Sequence, residues 1–298
     1  MRAKYRIEYE ASLVEEAVLR AAMSLDPAIS ASFRSERDRI YEMEGSEERE
    51  ARFEELHGRF FIRLGLDRPL HRALKEQPTL QRHTHACRVL RTCTREMADL
   101  ALEVGSRAPS LVIRLRPESF LHTEALLRLL RRELAHAADM LDPDFGYARE
   151  LPTCEADPAL MNLLRDRYRV VWDTTIDGRL CRCGLLDEEA RALRLAEFAR
   201  AFPMLGDEAA AAFAHWFDDP APKHAAILQF IQEPRGPGSL RDTRCPLCRL
   251  PALALVRVDA ELARAIGRDH PGFDGEQGCC ARCREVYAAL SSEPAASA

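Results

Sequence analysis

Two Cys-x-x-Cys pairs near the carboxyl end constrain the folding of this chain more than any other feature of its sequence. The first pair is Cys245 and Cys248, the second is Cys280 and Cys283, and 31 residues separate the pairs. The short turn within each pair lets both thiolates face one ion, and four thiolates make the sulfur set of a closed, structural Zn²⁺ site. We therefore expect a small zinc-binding module over residues 240–290.

The sequence around these cysteines resembles zinc-ribbon and treble-clef modules. The resemblance rests on the knuckle Cys245-Pro-Leu-Cys248, on an apolar run over 252–258 that predicts a strand, and on a helix expected after Cys283. A further short helix is predicted over 260–266. The resemblance implies how this segment folds, and it leaves the activity of the chain open.

Two positions in the module depart from the common patterns or leave the ligand set open. Arg249 stands where a knuckle often carries glycine, and the gap between the pairs is unusually long. Cys279 lies beside Cys280 and is an alternative ligand, although Cys280 gives the regular two-residue spacing within its pair. We expect Cys280 to bind the ion and retain Cys279 as the alternative.

Composition and charge limit the classes of function. The formal net charge of −5 argues against a general polyanion binder, because phosphate binding needs a basic surface. No apolar segment approaches the ~20 residues that span a bilayer. Ten cysteines without an apolar signal region favour metal binding or free thiols in the cytoplasm. Lys4, Lys75 and Lys223 are the lysines among 43 basic residues, and this arginine bias suggests a bacterial source.

Helical periodicity dominates the remainder of the chain. We predict an N-terminal helical bundle over residues 1–147 and a second helical region over 153–232, so the fold class is mainly α. The bundle helices are predicted at 8–24, 46–65, 81–104 and 118–141. The helices of the second region are predicted at 159–172, 187–202, 207–217 and 221–232.

The later part of the chain also carries boundary signals. A segment rich in glycine and proline over 233–239 predicts a linker between the second helical region and the zinc module. The last residues, 291–298, are expected to form a disordered tail. Trp172 and Trp216 are expected in the core of the second helical region.

One carboxylate of the predicted helix over 118–141 lies on its apolar face. At 100° per residue, Glu133 falls near the middle of the apolar arc and His136 toward its edge. An ionised carboxylate there needs a partner, because burying an isolated charge is very costly. An arginine and a metal ion are the two obvious partners, and Glu133 is the candidate catalytic residue. The polar side chains share another arc: Glu124, Arg128, Arg131, Arg132 and Asp139.

The segment Arg132-Glu133-Leu-Ala-His136 resembles the His-Glu-x-x-His motif of zinc metallopeptidases. In that motif two histidines one turn apart bind zinc, and the glutamate acts as the base. Arginine replaces the first histidine here, and a guanidinium cannot ligate a cation. An active peptidase would therefore need an unconventional ligand set.

A second resemblance involves Glu-x-x-His, which occurs on two helices of the ferritin-like di-iron bundles. The sequence contains it twice, as Glu54-Glu-Leu-His57 and as Glu133-Leu-Ala-His136. Two such helices followed by a four-cysteine module resemble the layout of rubrerythrin. The resemblance implies a second metal site, iron or zinc, with the ligands Glu54, His57, Glu133 and His136.

The other two predicted bundle helices lack the inward glutamate that a di-iron site needs. Glu15 and Glu16 flank the apolar stripe of the first helix, and Glu96 lies at the edge of the stripe of the third. In the alternative without a metal, Glu133 pairs with a buried arginine or with His57, and each histidine satisfies a backbone group.

Three functions are compatible with the sequence. The first is a non-enzymatic zinc-binding adaptor that contacts a protein partner, and it needs only the one complete metal site. The second is a metalloenzyme with the Glu/His site, either a di-iron oxidoreductase or a metal-dependent hydrolase. The third is a nucleic-acid binder that uses the arginines of the module, which the net charge disfavours. We expect the first.

Overall fold

The computed structural model describes residues 5–24, 27–102, 108–149, 158–235, 245–249, 252 and 255–292. Within these residues the chain forms twelve α-helices and one four-stranded sheet, so the expected mainly α fold is confirmed. The first helices are α1 Ala11–Ser24, α2 Pro27–Tyr41, α3 Ser46–Arg63, α4 Arg68–Glu76, α5 Pro78–His83 and α6 Thr123–Leu141. The later ones are α7 Pro158–Arg182, α8 Glu189–Ala201, α9 Ala209–Asp218, α10 His224–Gln232, α11 Ala260–Asp269 and α12 Ala281–Ser292.

The chain divides into two compact units. The N-terminal unit comprises Met1–Arg149, Thr175–Ala192 and Phe217–His224. The C-terminal unit comprises Glu150–Thr174, Leu193–Trp216 and Ala225–Ala298. This division cuts across the second helical region that the sequence pattern predicts.

The strands of the N-terminal unit form one mixed sheet in the order β1-β2-β4-β3. They are β1 Arg6–Tyr9, β2 Ala86–Arg91, β3 Met97–Ala101 and β4 Ser110–Leu115. β1, β2 and β4 are parallel, whereas β3 pairs antiparallel with β4 and forms an edge. In β4 the consecutive residues Leu111, Val112 and Ile113 are all buried, as expected for a strand that is covered on both faces.

The prediction of a helix over 81–104 is wrong. These residues contain the end of α5 and the strands β2 and β3. The spacing of Val89, Cys93 and Met97 imitates a helical stripe, but residues 92–96 connect two strands, and the buried Val89 alternates with the exposed Arg88. The N-terminal unit therefore contains a sheet that the helical pattern did not predict.

Other helix boundaries also differ from those predicted. α2 and α4 were not predicted, and α7 continues to Arg182, beyond the predicted end at 172. The helix predicted over 118–141 begins as a 3₁₀ helix, Pro117–Leu121, and continues as α6. Proline at the start of the 3₁₀ helix lacks the N–H that a helix interior would need.

An apolar core fills the N-terminal unit. Its fully buried side chains come from the sheet and from the surrounding helices, for example Leu13 of α1, Phe60 of α3, Leu74 of α4, Ile113 of β4 and Leu134 of α6. Each such side chain contributes about 1.5–3 kcal/mol by leaving water. This core holds the helices of the unit against one another and against the sheet.

The C-terminal unit has its own aromatic cluster. Trp172 and Trp216 are 6% and 3% exposed, which confirms them as core residues. The ring of Trp216 lies 5.3 Å from that of Phe230, and Phe198 and Phe202 lie 4.7 Å apart. Such aromatic pairs add packing energy to the area that they bury.

The four-cysteine module, residues 245–292, is the last part of the C-terminal unit. α11 is capped by Asp259, whose carboxylate accepts hydrogen bonds from the backbone N–H groups of Glu261 and Leu262. α12 begins at Ala281, so the helix expected after Cys283 starts before that residue.

Three sequence predictions fall partly outside the described residues. Of the strand predicted over 252–258, the structure describes residues 252 and 255–258, which form an isolated bridge at Val256 in place of a strand, while residues 253–254 lie outside. Most of the linker over 233–239 also lies outside, as does the tail from residue 293, whereas residues 291 and 292 end α12.

Candidate metal centre

The first Cys-x-x-Cys pair lies in a tight turn. The backbone N–H of Arg249 donates to the carbonyl of Cys245 at 2.8 Å and closes the turn. Arg249 adopts a φ of 56°, the left-handed conformation that glycine takes most readily. Arg249 stands where a knuckle often carries glycine, and the backbone at this position adopts the conformation that glycine favours even though the residue is an arginine.

The second pair is held against the first by backbone contacts. Val256 and Cys279 exchange N–H···O hydrogen bonds of 2.8 and 3.1 Å, and the N–H of Cys280 donates to the sulfur of Cys245 at 3.3 Å. Gly278 has a φ of 75°, and a Cβ there would lie 2.3 Å from the carbonyl oxygen of Val256. Cys283 follows in the first turn of α12.

The four predicted cysteines come together at one point. The sulfur atoms of Cys245, Cys248, Cys280 and Cys283 all lie within 4.8 Å of one another, and those of Cys248 and Cys280 are 3.8 Å apart. A tetrahedral site with metal–sulfur bonds of about 2.3 Å has sulfur–sulfur edges of about 3.8 Å. The group can therefore hold one metal ion through four sulfur ligands.

The local environment influences the charge state of two of these thiols. Burial opposes ionisation of Cys245, but hydrogen bonds from the backbone N–H groups of Cys280, Cys248 and Leu247 outweigh it and lower the pKa of its thiol to about 7. Burial raises the pKa of Cys283, and its thiol contacts with Cys280 and Cys248 act in the same direction. Metal binding would displace the remaining protons, because the thiolate is the ligand.

The adjacent residues Cys279 and Cys280 have different environments in the structure. Cys279 is fully buried and belongs to the small apolar core of the module, together with Cys245, Leu262 and Ile266. Burial raises the pKa of the Cys279 thiol. The cluster of four sulfurs contains Cys280, in line with the regular spacing of its pair.

The candidate catalytic residue Glu133 contacts the edge of the sheet. One of its carboxylate oxygens accepts a hydrogen bond of 3.0 Å from the backbone N–H of Ala98 in β3. Arg149 donates to the carbonyl oxygen of Leu100 in the same strand at 3.0 Å. These side chains satisfy outward-facing backbone groups of an edge strand, which would otherwise be open to another strand. This contact gives Glu133 a structural role in the N-terminal unit.

Arg132, which replaces the first histidine of the metallopeptidase motif, forms an ion pair with α7. Its guanidinium donates to both carboxylate oxygens of Asp177, at 2.6 and 3.1 Å, and the Asp177 side chain is only 1% exposed. The position that would supply a metal-binding histidine is thus engaged in an internal salt bridge. Glu133 and His136 therefore resemble the peptidase motif in sequence, but the described residues around them form no cluster of metal ligands.

The second predicted ligand group does not assemble. Glu54 and His57 of α3 line a cleft beside α1 and α2, whereas Glu133 contacts β3. Among the residues that the structure describes, the four cysteines form the only cluster of three or more potential ligand atoms within 4.8 Å of one another. Glu54, His57, Glu133 and His136 are all described, and they do not form such a cluster.

Two further buried ion pairs of α6 were not predicted. Arg131 is 8% exposed and makes two hydrogen bonds of 2.8 Å to Glu76 of α4. Asp139 is 3% exposed and accepts two hydrogen bonds, of 2.7 and 2.5 Å, from Arg179 of α7. The polar arc of α6 therefore contributes buried ion pairs to the N-terminal unit, and helical periodicity alone does not reveal partners so far away in sequence.

Comparison with known proteins adds no function to these observations. No protein-family model matches the chain, and neither curated proteins nor solved structures provide a match. Within the described residues, none of the helices combines the length and the apolar character needed to cross a membrane.

Proposed function

We propose that this chain is a bacterial, cytoplasmic adaptor protein whose C-terminal module binds a structural Zn²⁺ ion and contacts a protein partner. The arrangement of the four cysteine sulfurs carries the proposal. Tetrahedral sets of four thiolates bind zinc or iron, and a set with four protein ligands leaves no open position for a substrate. The described cysteines are not joined in disulfides, and this favours a reducing compartment.

The exposed face of α12 supports the adaptor role. Cys283 and Tyr287 pack toward the core of the module, whereas Val286 and Leu290 are 50% and 60% exposed. The two apolar side chains are one turn apart, and the exposed Arg282 lies one turn before Val286. This face suits a peptide segment that offers apolar side chains and a carboxylate.

Metal analysis tests the zinc site. Purified wild-type protein is expected to contain one zinc per chain, as measured by elemental mass spectrometry. Cys280→Ser is expected to lose the zinc, while Cys279→Ser retains it, because the two cysteines are adjacent but only Cys280 belongs to the sulfur cluster. Iron in place of zinc, or loss of zinc in Cys279→Ser alone, would contradict the assignment.

The same measurement addresses the metalloenzyme alternative. Glu133→Ala is expected to leave the metal content unchanged, because Glu133 contacts the backbone of Ala98 and belongs to no cluster of ligands in the described part of the chain. A second metal that disappears in Glu133→Ala would overturn the adaptor proposal in favour of an enzyme.

Peptide selection tests the adaptor role. A random peptide library displayed on phage is selected against the zinc-loaded full chain, and apolar peptides with acidic residues are expected to be enriched. Their binding should be lost in the double variant Val286→Asp, Leu290→Asp and kept in Leu193→Asp, another exposed leucine at 74%. Enriched peptides that bind the α12 variant equally well would contradict the proposal.

Nucleic acid is the remaining alternative. The module carries exposed arginines, but the chain as a whole has a net charge of −5. Binding to DNA or RNA that weakens as the salt concentration rises would favour this alternative. We expect no such binding at physiological ionic strength.

A further inference from the structure

The N-terminal unit contains a wide cleft. The residues that line it lie between Tyr5 and His71, and none of them is a cysteine. The cleft has a volume of about 1010 Å³ and is lined by residues of β1, α1, α2 and α3. Ligand pockets in proteins commonly enclose roughly 300–1,000 Å³. The cleft is therefore large enough for a small molecule or for a few residues of a peptide.

Aromatic rings form the apolar wall of this cleft. Tyr41 and Phe53 meet edge to face with their centroids 4.9 Å apart, and Tyr9 and Phe61 do so at 5.0 Å. The guanidinium of Arg37 lies 5.9 Å from the centroid of Tyr41, so this ring already interacts with a cation of the protein. Aromatic faces attract organic cations as well as apolar groups.

Carboxylates outnumber cations around the cleft. Glu15, Glu50 and Glu54 line it, and none of the three forms an ion pair with another described residue. Asp67 also lines the cleft and lies 3.5 Å from His71. Four carboxylates thus face one arginine, Arg37, and two histidines among the lining residues, so the cleft favours a positively charged ligand.

A buried histidine provides an independent indication of a ligand. His57 lines the cleft, is only 6% exposed, and makes no hydrogen bond to any residue in the described part of the chain. Burial lowers the pKa of the His57 ring, and the nearby Glu15 only partly offsets this effect. A neutral imidazole has a ring nitrogen that accepts a hydrogen bond. His57 can thus accept an N–H from a ligand, and Glu54 lies one turn before it on α3.

We infer that this cleft binds an organic ammonium ion with an apolar body. The ammonium group donates to His57 and to the carboxylates of Glu15 and Glu54, while the apolar body contacts the aromatic wall. A small primary amine and the free amino terminus of a peptide share this chemistry. The inference is independent of the zinc site and of α12.

Binding of three matched probes to the zinc-loaded full chain tests the inference. Phenethylamine, 2-phenylethanol and phenylacetate present the same ring with a positive, neutral or negative group, and calorimetry or chemical-shift titration measures their affinity. The amine is expected to bind at least about tenfold more tightly than the alcohol, and the anion most weakly. Equal binding of amine and alcohol, or no binding of the amine at millimolar concentration, would overturn the inference.

Variants on one helix locate the interaction. Glu54→Gln is expected to weaken amine binding several-fold, whereas Glu55→Gln, which removes the neighbouring charge that pairs with Arg52 outside the cleft, leaves it unchanged. His57→Phe keeps an aromatic ring in the buried position and should reduce the preference for the amine over the alcohol. Equal losses in both glutamate variants would show a general charge effect and would contradict the site.

A peptide pair distinguishes the two sources of the ammonium group. A short phenylalanine-initiated peptide is titrated with a free amino terminus and with an acetylated one. Binding of the free form alone assigns the cleft to peptide amino termini. Binding of phenethylamine without either peptide assigns it to small amines, and binding of the acetylated peptide as tightly as the free form would contradict the ammonium inference.

Discussion

The N-terminal unit and the four-cysteine module achieve their folds by different means. The N-terminal unit has an extensive apolar core, which includes Phe60 and Leu134, around a four-stranded sheet. Among the described residues of the module, only Cys245, Leu262, Ile266 and Cys279 form a buried core, and two of these four are cysteines. So small a core rarely stabilises a fold without a metal or a disulfide. The difference predicts that the module needs a bound metal ion for its stability more than the N-terminal unit does.

Close backbone contacts offer the strongest way to disturb the N-terminal unit alone. A Cβ on Gly178 of α7 would lie 1.7 Å from the carbonyl oxygen of Phe217, and backbone cannot move aside as a side chain can. Gly178→Ala is expected to cost more than about 4 kcal/mol of the free energy of unfolding, a loss that only severe disruption causes. Denaturant unfolding followed by circular dichroism measures the change.

The matched control for this change lies in the module. A Cβ on Gly267 of α11 would have no other atom within 4 Å, so Gly267→Ala should stabilise its helix by up to about 1 kcal/mol. A Gly178→Ala protein as stable as the wild type would show that the contact with Phe217 does not constrain the unit.

The buried pair Arg131–Glu76 is expected to have the next largest effect. Arg131→Met leaves the Glu76 carboxylate without its main partner, and such a loss costs about 3–5 kcal/mol when the pair is buried. Arg72 contacts the same carboxylate at 3.5 Å but is 61% exposed, so Arg72→Met should cost less than about 1 kcal/mol. Similar losses in the two variants would contradict the ranking of buried over exposed pairs.

The same pair makes the stability of the N-terminal unit depend on pH. Hydrogen bonds from Arg131 lower the pKa of Glu76 below its ordinary value. A carboxylate of this kind stabilises the fold above its unfolded-state pKa of about 4.3, and the stabilisation is lost as the pH falls through the folded-state pKa. As the pH falls from the unfolded-state pKa to the folded-state pKa, the unfolding free energy of the wild type should therefore decrease more steeply than that of Glu76→Gln. Parallel pH profiles would contradict this account.

In the module, a glycine change should weaken the metal site without removing a ligand. Gly278→Ala places a Cβ 2.3 Å from the carbonyl oxygen of Val256 and disturbs the bridge that positions Cys280. Zinc affinity, measured by competition with a chelating dye, should fall about tenfold, which corresponds to about 1.4 kcal/mol. Gly272→Ala is the control, because Gly272 also has a positive φ but has open space around it. Equal effects would assign the loss to backbone conformation alone.

Local sequence patterns predicted the features that depend on nearby residues. The spacing of the cysteines predicted which thiols come together, and periodicity located most helices, because both signals repeat within a few residues. The sheet was missed because the short apolar run of β4 does not distinguish a buried strand from a helix, and because Val89 and Met97 imitate a helical stripe.

Long-range partners could not be predicted in the same way. Arg131 and Glu76 are 55 residues apart, and Arg132 and Asp177 are 45 apart, so no local pattern connects them. The position of Glu133 on the apolar arc of its helix correctly indicated that this carboxylate needs a partner. It did not indicate that the backbone N–H of Ala98 in the edge strand β3 would be one of its partners.

Hydrogen exchange before and after metal removal tests the central contrast most directly. The zinc-loaded chain is compared with the same chain after chelation, and exchange is followed peptide by peptide. We expect residues 245–292 to lose their protection, while the sheet and α6 of the N-terminal unit retain theirs. Protection of the module that is unchanged after its metal has been removed, or a loss of protection in both regions together, would contradict the account.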